Sequence, residues 1–380
     1  MRRLLPMLNR NPYKVVFAAG GTGGHIYPAI AIAGELQLVS PHIEVTFIGT
    51  TNRLESKIVP SNGYTLKFIP VMGLSRSLSI RNVYAIMLLV YAVIKCIGIL
   101  RRERASLVVG TGGYVSAPTV IGALLSGIPV LMLEQNAIPG MVNKYLAKYA
   151  EEVHLSYEVT QKHLDRKTHS IISGNPIRRL SEVDRESARR EIGIGGDNRT
   201  VLVFGGSLGA SAINSVLLEH IDDIVESSIQ MIWQTGSKDY QKVVDRVDQP
   251  NIRVYEYIDD MASAYSACDL VVCRAGATTI AELQEMNKPA LLIPYPHSTD
   301  NHQYYNAKGY EEMGMGLVIE ESEIRELVPR MIEYAIDDGG LELKRRDGTS
   351  SGSMNAREEV TASVMSLLKN TTDGTVNRCG

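Results

Sequence analysis

Aromatic side chains are scarce in this sequence. Phenylalanine, tryptophan and tyrosine together make up 6% of its 380 residues. Proteins that bind single-stranded nucleic acid without sequence preference stack bases on aromatic side chains. The low aromatic content argues against such a platform, and we expect no nucleic-acid partner.

Cysteines are also few. The chain has four, and none forms a C-x-x-C pair or has metal-ligand spacing with a histidine. This pattern is typical of unpaired thiols in a reducing compartment, and we predict no metal site. Residues 1–12 are basic, but their apolar stretch is short and interrupted by Pro6, which disfavours a secretory signal.

Acidic residues are under-represented in the first part of the chain. Residues 1–172 hold 18 lysines and arginines against 9 aspartates and glutamates, a formal charge of +9. The remainder holds 21 against 33, a formal charge of −12, so the net charge of −3 conceals a split. Such asymmetry indicates that one half faces an anionic surface.

The rest of the composition is that of a globular protein. Apolar residues form 44% of the chain and charged residues 21%, which excludes disorder, collagen and coiled coil as the main architecture. A length of 380 residues predicts two or three domains. The 33 glycines gather in short clusters after apolar runs, which indicates tight strand-to-helix turns.

Short β-branched runs alternate with helix-like patterns along the whole chain. This alternation predicts parallel sheets covered on both faces. We predict an α/β fold with two Rossmann-like doubly wound domains, residues 1–173 and 174–355, facing a central cleft, with a hinge near Pro176. An eight-stranded barrel is the competing architecture, but a glycine-rich strand–turn–helix unit opens each half and argues against it. The predicted strands are residues 14–18, 44–49, 64–70, 106–110, 129–134, 153–157, 170–173, 200–204, 230–234, 253–257, 270–273, 290–294 and 316–319.

The first glycine cluster, residues 20–24, follows a strand and leads into a helix. The exposed N–H groups of such a turn and the positive end of the helix form a site for an anion. The cluster lacks the lysine of a Walker A loop and the third small residue of a dinucleotide fingerprint. His25 stands at the helix entrance, where the helix dipole favours the neutral form that a general base needs. The alternative is a tight turn with a packing or capping histidine.

Three further clusters follow strands in the second half. The turn at residues 205–210 contains Ser207 and predicts a second phosphate site. Thr278 and Thr279 can cap a helix and donate to a phosphate, and Glu282 can accept from ribose hydroxyls. The alternative for Glu282 is a first-turn acid that complements the helix dipole. Residues 294–307 are dense in amide and imidazole groups that suit sugar hydroxyls, or they form a solvated loop.

These motifs, taken in order, resemble those of the MurG family of bacterial glycosyltransferases, which add N-acetylglucosamine to the muramoyl-pentapeptide lipid of cell-wall synthesis. The resemblance spans roughly residues 13 to 320. It implies a GT-B fold and an inverting transfer from UDP-N-acetylglucosamine to the 4-hydroxyl of the muramoyl sugar on undecaprenyl diphosphate (lipid I), giving lipid II and UDP. The motifs are residues 20–25 with Pro28 and Ala29, then 110–116, 134–136, 174–178, 205–207, 257–261 and 273–282.

The resemblance also implies roles for single residues on the donor side. Ile258 would meet the uracil through its backbone, and Arg178 would reach the donor from the hinge. Thr22 and Asn136 are further expected donor contacts. The remaining roles are Ser207, Thr278 and Thr279 around the diphosphate, Glu282 on the ribose, and His302 and Gln303 on the sugar hydroxyls.

On the acceptor side, the first glycine turn would hold the acceptor diphosphate through Gly20, Gly21, Gly23 and Gly24. Tyr114 and Asn136 would line this side, and His25 would be the catalytic base. No cofactor is implied, and we see no Asp-x-Asp pair in a turn that would hold a metal at the diphosphate.

Two departures from the family pattern and one unmatched segment stand out. Leu208 replaces a glutamine that many members carry, and His302 with Gln303 stands where some have two glutamines. The last 55 or so residues match no motif. There we expect a loose loop at residues 347–353 and a final helix at 356–368 that packs back on the N-terminal domain.

An apolar segment at residues 83–100, interrupted by Lys95, is nearly long enough to span a bilayer. It lies between two strands of one predicted sheet, so we expect it to dip one face into the cytoplasmic surface of an anionic membrane as a peripheral contact. The alternative is a fully buried helix. We further expect a cell-wall synthesis complex as a partner. The predicted membrane face comprises Arg76, Arg81, Tyr84, Met87, Leu88, Tyr91 and Lys95.

Other functional classes fit less well. A UDP-N-acetylglucosamine 2-epimerase shares the fold and donor site but has no lipid acceptor, and the basic, apolar segment favours the transferase. A donor-binding module is disfavoured because both halves are on one chain. A nicotinamide dehydrogenase is disfavoured because no acid follows the second strand to hold a ribose.

Overall fold

The computed structural model describes residues 13–73, 80–181, 183–206, 209–336 and 355–372. The chain divides into two compact units. The first consists of Met1–Arg178 together with Met354–Gly380, and the second is Arg179–Ser353.

The first unit is built on a parallel sheet of seven strands in the order β3-β2-β1-β4-β5-β6-β7. Its central strands are buried except for the half-buried Lys14 at the start of β1, as expected where helices cover both faces. The strands are β1 (Lys14–Ala18), β2 (Glu44–Gly49), β3 (Thr65–Phe68), β4 (Leu107–Gly110), β5 (Val130–Glu134), β6 (Glu152–Leu155) and β7 (Ser170–Ile172).

Alternate residues of β1 enter different cores. Val15 and Phe17 pack on one face of the sheet, and Val16 packs on the other. This two-residue period is the geometry of a pleated strand, and here both faces are apolar. The helices of this part of the chain are α1 (Gly23–Val39), α2 (Glu55–Ser61), α3 (Ile80–Glu103), α4 (Ala117–Leu125) and α5 (Met141–Leu146), with 3₁₀ turns at Ala147–Tyr149 and Glu158–His163.

The second unit repeats the scheme around six parallel strands in the order β10-β9-β8-β11-β12-β13. Trp233 is fully buried in its core. The strands are β8 (Thr200–Phe204), β9 (Gln230–Gln234), β10 (Ile252–Tyr255), β11 (Leu270–Cys273), β12 (Ala290–Leu292) and β13 (Gly316–Val318).

The helices of the second unit cover its sheet and connect its parallel strands. They are α6 (Arg185–Ile192), α7 (Ser211–Glu219), α8 (Ile221–Glu226), α9 (Tyr240–Val244), α10 (Met261–Ala267), α11 (Ala277–Glu285), α12 (His302–Glu312) and α13 (Leu327–Ile336), with 3₁₀ turns at Thr299–Asn301 and Glu321–Glu326. All thirteen predicted runs correspond to strands of two open parallel sheets, which confirms the α/β class and excludes the barrel.

The last described helix, α14 (Ala356–Thr372), belongs to the first unit. It packs on α1, and Val360, Val364 and Leu368 enter the same core as β1. A buried ion pair fixes its start, with Arg357 Nε 3.0 Å from a Glu35 carboxylate oxygen. The loop expected at residues 347–353 lies outside the described part of the chain.

The long helix α3 connects β3 to β4, two strands of one sheet. Its stretch Asn82–Glu103 is the one described helix long and apolar enough to cross a membrane by length and composition. The mean hydropathy is 2.4 over 18 residues of this stretch, of which 28% are buried. One face packs into the first unit, where Cys96 and Leu100 are fully buried. The opposite face carries exposed apolar side chains.

Candidate active site

The first glycine turn joins β1 to α1 and rests on a buried carboxylate. Gly21 has a φ of +91°, which residues with a Cβ rarely adopt. Its N–H donates to Glu55 Oε2 at 3.0 Å, and the same carboxylate accepts from the amide and hydroxyl of Thr50. A Cβ on Gly20 would lie 2.7 Å from Glu55 Oε1. The turn is therefore fixed, and the Gly21 amide is already engaged within the protein.

The α1 helix begins at Gly23 and Gly24, directly after this turn. Thr22 is its exposed N-cap residue and has extended backbone geometry. The first-turn amides of a helix have no intrahelical acceptor of their own. The amide of His25 bonds back to Thr22 O at 3.1 Å. The turn and helix start therefore have the geometry of an anion site, with the Gly21 amide excluded from it.

His25 lies in the first turn of α1, half-buried among residues from two other strand ends. Its Nδ1 is 3.3 Å from Gln135 Oε1, just beyond β5. Gln135 Nε2 donates to Thr111 O at 2.9 Å, just beyond β4. The hydroxyl of Thr111 donates to His25 O at 2.7 Å, which closes the group. The ends of β1, β4 and β5 thus converge on the imidazole.

The backbone of Gly112 and Gly113 forms one wall of the His25 site. Both have positive φ, at +94° and +73°. A Cβ would lie 2.9 Å from His25 Nδ1 if placed on Gly112, and 3.0 Å from His25 Cδ2 if placed on Gly113. Glycine is therefore required at both positions by backbone conformation and by the closeness of the ring.

Tyr114 and Asn136 lie in this same part of the first unit. The Tyr114 ring is 3.9 Å from the position a Cβ would take on Gly21. Asn136 is held by Glu134 Oε1, which accepts from its backbone N–H at 3.1 Å and from its Nδ2 at 3.2 Å. The structure therefore brings His25, Tyr114 and the first glycine turn together, and it fixes Asn136 one residue after Gln135.

The predicted membrane face falls on α3, with unequal exposure. Tyr84, Met87 and Tyr91 are 52%, 60% and 56% exposed, whereas Leu88 is half-buried. Lys95 is exposed. Arg76 and the side chain of Arg81 lie outside the described residues. The alternative of a fully buried helix is excluded.

The second glycine turn joins β8 to α7, and its Ser207 lies outside the described residues together with Leu208. A Cβ on Gly205 would lie 2.3 Å from Ala210 N. A Cβ on Gly209 would lie 2.0 Å from Thr235 O. Both positions therefore require glycine for packing.

Gln234, buried at the end of β9, links this turn to the segment after β10. Its Nε2 donates to Gly206 O at 3.1 Å, and its Oε1 accepts from the Ile258 N–H at 2.8 Å. Because that N–H is engaged, a backbone contact from Ile258 to a base would use its carbonyl. Gln234 is not among the site residues predicted from the sequence, although a polar residue at the end of a buried strand indicates such a role.

The third cluster lies at the start of α11. Thr278 Oγ1 is buried and has no hydrogen-bond partner among the described residues, an arrangement that suits a donor to a bound phosphate. Thr279 lies beside Gly276, the N-cap of the helix. Glu282 Oε2 accepts from Tyr265 OH at 3.0 Å. Burial, together with the Glu282 charge, raises the pKa of Tyr265 well above its usual value, so the phenol stays protonated as the donor.

The fourth cluster starts α12. Asp300 and Asn301 both have positive φ, and His302 and Gln303 follow. Gln303 Oε1 accepts from the Tyr295 N–H at 2.9 Å, so that oxygen ties two parts of the loop together. Arg178, expected to reach the donor, is exposed and is the last residue of the first segment of the first unit. The other described donor residues of the second half follow β10, β11 and β12.

The three described cysteines are buried and unpaired. Cys96, Cys268 and Cys273 are buried free thiols, and Cys379 lies outside the described residues. Burial raises the pKa of Cys96 to about 11 and that of Cys268 to about 12, which makes these thiols unreactive at neutral pH. In the described part of the chain, no three His, Cys, Asp or Glu side chains form a metal-binding group.

Comparisons with known proteins match both halves of the chain. The glycosyltransferase family 28 N-terminal domain matches residues 15–155, and the family 28 C-terminal domain matches residues 200–362. A curated UDP-N-acetylglucosamine–N-acetylmuramyl-(pentapeptide) pyrophosphoryl-undecaprenol N-acetylglucosamine transferase from Chlorobium phaeobacteroides is 43% identical. The match covers 82% of this chain and 86% of that protein.

Two solved structures are also similar. The crystal structure of Acinetobacter baumannii MurG superimposes with a TM-score of 0.73, and the match covers 93% of this chain and 100% of that protein. The two sequences are 26% identical. The structure of a putative UDP-N-acetylglucosamine 2-epimerase from Listeria monocytogenes superimposes with a TM-score of 0.67, and the match covers 95% of this chain and 97% of that protein. The epimerase is only 13% identical, so the likeness is one of fold alone.

Proposed function

The chain belongs to glycosyltransferase family 28, and on that premise we propose that it moves N-acetylglucosamine from UDP-N-acetylglucosamine to the 4-hydroxyl of the muramoyl sugar of lipid I. The products are lipid II, a precursor of peptidoglycan, and UDP. The fold is that of the GT-B glycosyltransferases. The observation that carries this proposal is the 43% identity to a curated transferase of this specificity, across both halves of the chain. The epimerase alternative has only a shared fold in its favour.

The donor would be held by the second unit. Thr278 presents a buried hydroxyl that has no partner among the described residues, at a helix N-terminus, and both features suit the diphosphate. Glu282 is oriented by Tyr265 and would accept from the ribose hydroxyls. Ile258 would meet the uracil through its carbonyl. Ser207, Thr279, His302 and Gln303 complete the proposed donor set by their positions, with Thr22, Asn136 and Arg178 from the first unit.

The acceptor would be held by the first unit. The helix start at Gly23 and Gly24 would bind the acceptor diphosphate, with Tyr114 and Asn136 beside it. His25 would take the proton of the 4-hydroxyl as this oxygen bonds to the anomeric carbon. The bond between that carbon and the UDP oxygen breaks, and the helix dipole and hydroxyls of the donor site stabilise the charge on UDP.

We place the enzyme at the cytoplasmic face of the cell membrane as a peripheral protein. Its acceptor is lipid-linked, and α3 exposes Tyr84, Met87 and Tyr91 on one face. Lys95 adds a positive charge beside them. An apolar stripe next to basic groups suits the boundary between acyl chains and anionic headgroups. We also propose a cell-wall synthesis complex as its setting.

The direct test combines purified enzyme, UDP-N-acetylglucosamine and a lipid I analogue, and follows UDP release and the disaccharide product. We expect release only when the acceptor is present. Replacement of His25 with alanine should lower kcat by about 10²–10⁴, the usual contribution of a general base, while UDP-N-acetylglucosamine still binds. Epimerisation of the donor without acceptor would contradict the transferase. Near wild-type turnover of His25→Ala would contradict the base assignment alone.

A further inference from the structure

We propose that Gln135 is a positioning residue that fixes the tautomer of His25, with the hydrogen on Nδ1 and the lone pair on Nε2. The catalytic consequence rests on the proposed function, in which His25 is the base. The tautomer itself follows from hydrogen bonds among Thr111, Gln135 and His25.

The orientation of the Gln135 amide is set by its outer partner. One end of the side chain lies 2.9 Å from the carbonyl oxygen of Thr111. A carbonyl only accepts, so the atom facing it must be the NH₂ group. The other end, 3.3 Å from His25 Nδ1, must therefore be the amide oxygen. Gln135 is 1% exposed, so water cannot readily satisfy a reversed amide.

The amide orientation then decides the state of the imidazole. An amide oxygen cannot donate, so the contact between Gln135 Oε1 and His25 Nδ1 is a hydrogen bond only if Nδ1 carries the hydrogen. In the neutral ring the lone pair is then on Nε2. A reversed tautomer would set two acceptors against each other inside the protein.

The residues around His25 restrict rotation of its ring, so the ring stays within reach of Gln135. Gly112 and Gly113 pack so closely that a Cβ on either would come within about 3 Å of ring atoms. The backbone of His25 is tied at both polar groups, through its N–H to Thr22 and through its carbonyl to the Thr111 hydroxyl. Gln135 thus acts on a ring whose position is already restricted.

The consequence for catalysis is that the base is prepared before substrate arrives. A general base needs its lone pair at the nitrogen that faces the proton, and a neighbour on the other ring nitrogen sets which nitrogen that is. Without Gln135, the neutral ring would divide between two tautomers, of which one cannot accept at Nε2. The role resembles that of the third group in nucleophile–base–orienter arrangements, although Gln135 carries no charge.

Two substitutions separate this role from simple packing. Gln135→Met keeps the length of the side chain but removes both the donor and the acceptor. Gln135→Glu keeps an acceptor toward Nδ1 whether its carboxyl is ionised or protonated, and the protonated form can still donate to Thr111 O. The methionine variant should therefore lose the preference for hydrogen on Nδ1, and the glutamate variant should keep it.

The primary measurement is two-dimensional NMR of ring nitrogens in protein labelled with ¹⁵N-histidine, with His25 assigned by the peaks that His25→Ala removes. We expect protonated Nδ1 in the wild type and in Gln135→Glu, and a mixed or reversed tautomer in Gln135→Met. Hydrogen on Nε2 in the wild type, or an unchanged tautomer in Gln135→Met, would overturn the proposal. If the methionine variant does not fold, the wild-type and Gln135→Glu spectra still decide the tautomer.

Kinetics provide the second readout. Gln135→Met should lower kcat by about 10- to 100-fold, less than loss of the base itself, with an unchanged KM for UDP-N-acetylglucosamine. Gln135→Glu should recover part of this loss. Equal kcat in all three proteins, with the tautomer altered, would overturn the catalytic part. The NMR measurement does not depend on turnover. The tautomer can therefore be determined even if His25 proves not to be the catalytic base, and the two proposals can fail separately.

Discussion

A carboxylate beneath a turn proposed to bind an anion would oppose that ligand by charge, yet Glu55 lies fully buried under the first glycine turn. Its oxygens accept from the Gly21 amide and from both polar groups of Thr50. Charge-assisted bonds of this kind are stronger than neutral ones. The carboxylate therefore holds the turn in place, and the amides at the helix start would remain for the proposed acceptor.

Replacement of Glu55 with glutamine tests this residue. An amide cannot accept at both ends, so one of the bonded N–H groups would lose its acceptor, at a cost of about 1–3 kcal/mol of folding free energy. We expect a higher KM for lipid I and an unchanged KM for UDP-N-acetylglucosamine. Glu158→Gln, at an exposed position, is the matched control. Steady-state kinetics and thermal unfolding measure both effects. An unchanged acceptor KM would contradict the role of Glu55.

Single residues show where sequence reasoning succeeds and fails. The position of His25 beside a glycine turn is a local pattern, so it could be predicted. Glu55 is 34 residues from Gly21, and Gln135 is 110 residues from His25. Such contacts depend on which strand ends lie next to each other in the sheet, and a local sequence pattern does not contain this information. A glutamine or glutamate directly after a strand or a turn is nevertheless a candidate for a residue that positions the site.

At the scale of elements, the strands were predictable because parallel sheets need continuous β-branched runs. The strand order in both sheets is that of the predicted Rossmann-like doubly wound fold, but it follows from the fold class, because each run is equally apolar and does not specify its own neighbours. The edge strand β3, for example, is adjacent to β2 but distant from β4, the strand that follows it in sequence. The helix α14 was predictable as a helix, while its buried Arg357–Glu35 pair joins residues 322 apart.

One ion pair joins α6 to the sheet of the second unit and has a testable pH dependence. Arg185 donates to both oxygens of Asp269 at 2.6 and 2.9 Å, and the Thr200 amide donates to the same carboxylate at 2.8 Å. Burial opposes ionisation of Asp269, but these bonds outweigh it and hold its pKa below the usual value. Because the pKa of Asp269 is lower in the folded protein, its contribution to the free energy of unfolding is complete above the pKa of the unfolded state, near 3.9. This contribution is lost as the pH falls through the pKa of the folded state.

Replacement of Asp269 with asparagine should therefore destabilise the protein at neutral pH by about 1–3 kcal/mol. The difference from the wild type should shrink in acid, because the wild-type carboxylate becomes protonated there. Urea unfolding at pH 7 and at successively lower pH measures the difference. Asp222→Asn, at an exposed helix position, is the control. A constant difference across this pH range would contradict the ion-pair explanation.

For the molecule as a whole, the proposed membrane contact of α3 would explain the uneven distribution of charge along the chain. The part of the chain with a formal charge of +9 contains this helix and the proposed acceptor site, and the part with −12 contains the donor motifs. Attraction to an anionic surface acts over about a Debye length, ~8 Å at physiological salt, so only charges close to the membrane contribute. In the proposed orientation, the exposed Lys95, Arg101 and Arg102 of α3 would contribute, whereas the acidic second half has no such requirement.

Vesicle flotation tests this orientation with one double variant. The wild type should float with vesicles of anionic phospholipid, and its binding should weaken with salt. Met87→Glu combined with Tyr91→Glu should reduce the partition coefficient by at least ~10-fold. The variant removes apolar area worth about 1.5–3 kcal/mol per fully buried side chain and adds repulsion of about 1 kcal/mol per charge.

The matched control is Ile336→Glu, which puts one charge on an exposed apolar side chain of the second unit and should leave flotation unchanged. Its turnover of a soluble lipid I analogue should also match the wild type. The double variant should keep turnover of that analogue and lose it with acceptor embedded in vesicles, because only the second reaction needs the surface. Equal flotation of wild type and double variant would contradict the membrane face. Resistance of the membrane-bound wild type to alkaline extraction would contradict the peripheral attachment, because a helix held only at the interface has no hydrocarbon span to retain it.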